Sequence, residues 1–87
     1  MVLTNLPYTR KIRRCEMVKS ANAVIDCLRR GVAATAAGDT GAINVWDDRD
    51  GFYRCEAMRW RVTVNEQKYK SLRKVREWSK HWIAQIQ

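Results

Sequence analysis

The stretch that most constrains the fold of this 87-residue chain is its last turn-and-helix segment, "SLRKVREWSKHWIAQIQ", at 71–87. Leu72, Val75, Trp78, Trp82, Ile83 and Ile86 recur at spacings of three and four. On a helix they fall within an arc of about 140°, with Ser79 beside them. Ser71 stands where a hydroxyl can cap the first turn. A helix with one apolar stripe needs a second layer to cover it, so the tryptophans are expected to face a sheet. At this length one domain with a modest core is expected. The 46% hydrophobic content separates the chain from a disordered basic tail.

A second amphipathic pattern runs from about residue 15 to 30. Met17, Val18, Ala21, Val24, Ile25 and Leu28 form its stripe, and Gly31 suits the left-handed position that ends a helix. "AATAAGDTG" at 33–41 is small, polar and glycine-punctuated, and reads as a loop. Ile43 and Val45 alternate with Asn44 and Trp46, and "DDRDG" at 47–51 is a hairpin turn signal. Beyond it, Tyr53, Cys55 and Ala57 share one face, whereas Met58, Trp60, Val62 and Val64 take the opposite parity. A strand alternates with period two, so this change of phase requires a bulge near 57–59. "NEQK" at 65–68 reads as a further turn. The expected architecture is an α+β two-layer sandwich, helix, three-stranded antiparallel sheet, helix (αβββα). Trp60, Trp78, Trp82, Ile25, Leu28 and Val75 are its expected core anchors. A basic arm at 1–14 precedes a single α+β domain at 15–87.

The net charge is +8, unevenly spread. Residues 1–19 hold five basic residues against one acidic, and 52–87 hold nine against three. Residues 20–51 hold three arginines against five aspartates. Basic ends around an acidic middle suit a polyanionic partner. Arg73, Arg76 and Lys80 lie along one flank of the last helix, interrupted by Glu77. They form a ridge of about 10 Å at 1.5 Å rise per residue. If the even-numbered residues of 58–64 face the core, Arg59 and Arg61 project from the open face of the sheet, with Arg54 near them. Arg10, Lys11, Arg13 and Arg14 in "RKIRR" would give an arm that tracks a phosphate backbone. Each group also has a plain structural reading, as a solvated helix face, a charged outer sheet or a solubilising tail.

Other chemistries find less in the residues. Cys15, Cys27 and Cys55 are far apart, without a C-x-x-C, and His81 has no ligand spacing to any of them. They read as reduced thiols in a cytoplasmic protein, with no metal and no cofactor expected. "DDRDG" fails as a calcium loop: aligning Gly51 with the invariant glycine puts Trp46 and Ala57 where acidic ligands belong. Asp47, Asp48 and Asp50 stay as an acidic knob for a basic protein surface. "GDTG" lacks the length and the lysine of a phosphate loop, and one histidine offers no catalytic triad. An enzyme is not expected. The opening "MVLTNLPYTRKIRRCE" does not read as a signal peptide. No apolar run reaches the roughly 18–20 residues of a membrane span.

The expected order of helix, three strands, helix is similar to that of double-stranded RNA-binding domains. "KYKSLRK" departs from the glycine- and lysine-rich motif that opens the last helix of that family. "INVWDDRDGFYRCE" followed by "YKSLRKVREW" resembles the sheet-then-helix units of AP2-type and phage integrase amino-terminal DNA-binding domains, over about half the chain. Size and basicity are similar to those of small phage and prophage accessory proteins. The resemblance implies nucleic-acid binding or blockade of a host defence or repair complex. Two functions are therefore expected. One is non-catalytic nucleic-acid binding through Arg59, Arg61, Arg73, Arg76, Lys80 and the arm. The other is a phage-type inhibitor or adaptor for a host protein complex, using the acidic knob. Either is expected as a monomer or small homo-oligomer.

Overall fold

The computed structural model describes residues 14–87. The elements run β1 (Cys15–Met17), α1 (Ala21–Arg29), β2 (Ala33–Ala37), β3 (Ala42–Asp47), β4 (Tyr53–Arg59), β5 (Val62–Tyr69) and α2 (Leu72–Ile86). The five strands form one mixed sheet in sequence order. β1 and β2 are parallel, joined across α1, and the remaining pairs are antiparallel. The expected three-stranded antiparallel sheet is therefore wrong: the fold is α+β with five strands and two helices. The topological likeness to double-stranded RNA-binding domains goes with it.

Both helices take the places their caps dictate. Ser20 Oγ accepts the Ala23 N–H at 3.1 Å, so α1 begins at Ala21 rather than near residue 15. The chain before Ser20 is extended and pairs with β2. Gly31, at φ 75°, follows α1, and Val32 N–H turns back to the Cys27 carbonyl at 2.9 Å. Ser71 Oγ accepts the Lys74 N–H at the start of α2, as its position in the sequence implied.

One face of the sheet carries the core. Ala34 and Ala36 of β2, Ile43 and Val45 of β3, and Cys55 and Ala57 of β4 meet Val24, Ile25, Cys27 and Leu28 of α1 and Val75, Trp78 and Ile86 of α2. "AATAA" is thus an inner strand, not a loop. Its small side chains let the helices approach closely, and its neighbours complete the hydrogen-bonding ladder that alanine itself does not favour. The other face carries a row of polar side chains across all five strands. Thr35 Oγ1 donates to Asn44 Oδ1 at 2.8 Å, and Asn44 Nδ2 donates to Glu56 Oε1 at 3.3 Å. Thr63 Oγ1 donates to Glu56 Oε2 at 3.3 Å. Cys15 Sγ lies 3.1 Å from Thr35 Oγ1, and since the threonine proton is committed to Asn44, the thiol donates. Thr35, Asn44 and Glu56 are buried, so each link satisfies a group that would otherwise be costly. A one-residue slip of any strand would break the row, which fixes register.

The expected bulge is present, between Ala57 and Met58. Beyond it the chain departs from expectation: it reverses at Trp60–Arg61, and Arg59 pairs with Val62. Residues 65–68 continue β5 instead of turning. Trp60 is 77% exposed, and Val62 and Val64 are exposed with it. None of the three is a core anchor, because the reversal takes them away from the helices. Trp78 keeps its expected place, and its indole Nε1 donates to Asn65 Oδ1 at 2.9 Å.

Candidate nucleic-acid interface

The polar face of α2 presents Arg73, Lys74, Arg76, Glu77, Lys80 and His81 to solvent. Because α1 packs beside α2 on the same sheet face, this surface continues onto α1. Arg76 Nε donates to Asn22 Oδ1 at 2.7 Å, tying the helices across 54 positions of sequence. Below this contact lies an open groove of about 330 Å³. Lys19, Ser20 and Asn22 line it from the start of α1, and Arg76, Lys80 and Ile83 from α2. Among the described residues, no carboxylate pairs with Lys19, Arg76 or Lys80. The first amides of α1 add their partial positive charge at the same place. Three cations and a helix start around an apolar floor can hold phosphate oxygens.

Arg73 stands apart from this set. Its Nη1 lies 3.6 Å from Glu77 Oε2, one turn on, and both side chains are exposed. Such a pair contributes little, so Arg73 can exchange it for a phosphate.

The sheet arginines are not brought together on an open face. Arg59 turns to the end of α2, where its Nη2 donates to the Gln85 carbonyl at 2.8 Å. Its guanidinium sits 5.9 Å from the Trp82 ring centre. Arg61 is exposed at the tip of the β4–β5 turn. Arg54 is held by the acidic turn, with its Nε 3.2 Å from Asp48 Oδ2 and its Nη2 3.4 Å from Asp50 Oδ2. Arg14 pairs with Glu16 at 3.1 Å. Arg30 holds the same carboxylate with two bonds of 2.9 Å, and it pulls the Glu16 pKa down to about 2. Arg10, Lys11 and Arg13 lie outside the described residues.

The aspartates of the β3–β4 connection serve its backbone. Asp47 Oδ1 accepts the Arg49 N–H at 2.8 Å and Asp50 Oδ1 accepts the Phe52 N–H at 3.0 Å. Burial pushes the Asp50 carboxyl up, but the Phe52 amide and Arg54 outweigh it and hold the group below its ordinary value. Lys68 and Lys70 stand over the adjacent Phe52 ring, 4.6 and 5.3 Å from its centre. The acidic knob therefore has Arg54 on Asp48 and Asp50, and two lysines over its neighbouring Phe52 ring.

The buried thiols are poor nucleophiles. Burial pushes Cys55 up to about 12, and burial and the nearby Glu16 charge also raise Cys27. A thiol that stays protonated at neutral pH neither attacks nor ligates. His81 packs edge-on against Trp82 at 5.6 Å. Among the described residues no group of three or more His, Cys, Asp or Glu is placed to hold a metal ion. No helix among them is long and apolar enough to cross a membrane.

Two contributors escaped the sequence reading. Lys19 and Asn22 were legible as polar residues of the first helix, but their place beside Arg76 depends on how the two helices sit on one sheet. Trp60 was assigned to the core by parity alone.

Compared with known proteins, the chain matches no family model, no curated protein and no solved structure.

Proposed function

We propose that this is a non-catalytic nucleic-acid-binding protein that grips the phosphate backbone through the α1–α2 groove. The observation that carries this reading is the convergence of Lys19, Arg76 and Lys80 on one groove without a paired carboxylate. Arg73 extends the same surface along α2. The net charge of +8 supports it at long range by drawing a polyanion in. The contacts are to phosphate, which positions a nucleic acid without reading its sequence. Of the residues first expected to bind, Arg73, Arg76 and Lys80 stay in this proposal. Arg59 leaves it because it turns to the end of α2 and does not line the groove. The alternative of an inhibitor or adaptor for a host protein draws no support from the acidic turn, whose aspartates are engaged with backbone amides and with Arg54.

The test is fluorescence anisotropy of labelled DNA and RNA, single-stranded and duplex, across a salt series. Binding is expected to be micromolar or tighter at about 50 mM salt and to weaken steeply as salt rises. Arg76→Glu with Lys80→Glu removes two cations and adds two anions on an exposed face, so the fold should survive. Affinity should fall by at least roughly tenfold, with a shallower salt slope. A folded wild-type protein that binds none of these nucleic acids at low salt would sink the proposal.

A further inference from the structure

The β4–β5 connection has two residues, Trp60 and Arg61, between the paired Arg59 and Val62. Both are left-handed, with φ of 53° and 67°. Two-residue hairpin turns of this kind strongly favour Asn-Gly or Asp-Gly, because a side chain with a Cβ is strained there. Neither residue present relieves that strain. Nor does Trp60 recover the loss by burial: it is 77% exposed, and among the described residues no ring or hydrogen-bond partner holds its indole. A strained backbone that presents a bare aromatic points to a use outside the fold.

The base of the turn is firmly fixed. Arg59 is bonded to the Gln85 carbonyl and lies over Trp82. Gly41 presses against the Met58 carbonyl and the Arg59 side chain so closely that no Cβ would fit there. The tip is thus a rigid projection at the end of the sheet where α2 finishes. Lys19 reaches that end too, lining a second cavity with Ile83 and Gln87. One cation of the groove, Lys19, and the aromatic tip therefore lie at the same end of the sheet.

We infer that Trp60 is a stacking platform for an unpaired base of a single-stranded nucleic acid, with Arg61 beside it for an adjoining phosphate. This rests on the nucleic-acid reading above and deepens it by naming the strand class. A flat, exposed indole next to a cation matches a base next to its phosphate, and stacking tolerates any sequence. A duplex hides its base faces inside the stack, so it cannot use the tip in this way. A second copy of the chain is disfavoured as the occupant, since two meeting tips would bring two Arg61 side chains together.

The experiment compares an oligo-dT strand of about a dozen nucleotides with a duplex of equal length. It reads anisotropy of the labelled nucleic acid and tryptophan fluorescence of the full chain. Three variants are used: Trp60→Ala, Trp60→Phe, and Trp60→Asn with Arg61→Gly. The last restores the preferred turn residues, so it keeps the hairpin while removing the platform. Trp60→Ala and the double variant should weaken oligo-dT binding roughly tenfold, with Trp60→Phe recovering most of it. Duplex affinity should stay within about twofold for Trp60→Ala, and oligo-dT should quench wild-type fluorescence more than duplex does. The stacking inference is overturned if Trp60→Ala leaves oligo-dT affinity unchanged while Arg76→Glu with Lys80→Glu reduces it. It is also overturned if single strand and duplex lose equally. Failure of the wild-type chain to bind either nucleic acid overturns the phosphate grip and the stacking platform together.

Discussion

The β3–β4 connection is built from Asp48, Arg49, Asp50, Gly51 and Phe52, with Asp47 closing β3 before it, and the β4–β5 connection from Trp60 and Arg61. Both must reverse an antiparallel strand with left-handed residues. In the first, Gly51 takes φ 95° without a Cβ and Arg49 takes φ 61° with one, and the turn's own carboxylates support that backbone: Asp47 accepts the Arg49 amide and Asp50 the Phe52 amide. In the second, a tryptophan and an arginine occupy the left-handed positions, and their surroundings must hold the turn in shape. Alpha2 and Gly41 do this from below, through Arg59. The first turn folds on its own chemistry, whereas the second is imposed by tertiary contacts and keeps an exposed indole as the result.

The largest effect should come from a glycine on the imposed side. At Gly41 an added Cβ would meet the Met58 carbonyl oxygen and Arg59 Cγ, both next to the β4–β5 turn. At Gly51 an added Cβ meets open space, although the positive φ remains unfavourable. Gly41→Ala should lose on the order of 3 kcal/mol, as backbone clashes in a packed site do. Gly51→Ala should lose about 1 kcal/mol, the left-handed penalty alone. Urea denaturation of the two variants measures both. Equal losses would mean that the end of the sheet near α2 is no tighter than the acidic turn.

A smaller effect, of opposite sign in the two turns, is expected when each turn's own residues are changed. Trp60→Asn with Arg61→Gly should stabilise the fold by about 1 kcal/mol, because the new pair accepts the backbone that is already there. Asp47→Ala should destabilise it by a similar amount, about 1 kcal/mol, by leaving the Arg49 amide without its acceptor. If the double variant is instead less stable, Trp60 is contributing to folding and the case for its outward role weakens.

This contrast also explains what could be read before the fold was known. "DDRDG" announced its turn because the residues that relieve strain are the ones that signal it. "WR" announced nothing, and parity alone sent Trp60, Val62 and Val64 inward. The bulge near 57–59 was legible, since a phase change along a strand has few other causes. Alpha2 was legible from its stripe and Ser71. Beta1 and β2 were not. "CEM" is too short to show alternation, and "AATAA" carries no β-branched run besides Thr35, so its strand state comes from its neighbours. The candidate groove was half legible. Arg76 and Lys80 share a helix flank in any fold, but Lys19 joins them only after both helices settle on one side of a five-stranded sheet.

Acid offers the finest test of the difference between the two turns. Asp50 is held below its ordinary value of 3.8, and Glu16, remote in sequence, is held at about 2 against an ordinary 4.5. A carboxyl with a depressed folded pKa adds stability that is full above its unfolded value and is lost as pH falls towards its folded one. Acidification from pH about 6 to about 2 should therefore weaken the β3–β4 turn while leaving the Trp60–Arg61 turn, which has no carboxyl, without a local loss. A Glu16→Gln background removes the carboxyl with the large shift, so the lowered Asp50 carboxyl carries more of the remaining change. The measurement is amide hydrogen exchange by NMR across that pH range, corrected for the intrinsic pH dependence of exchange. The corrected protection of Phe52, whose N–H the Asp50 carboxylate accepts, should fall. Protection beside Trp60 and Arg61 should not fall with it. Were both turns to loosen in parallel, carboxylate capping would not be what holds the first turn, and both would depend on the surrounding fold.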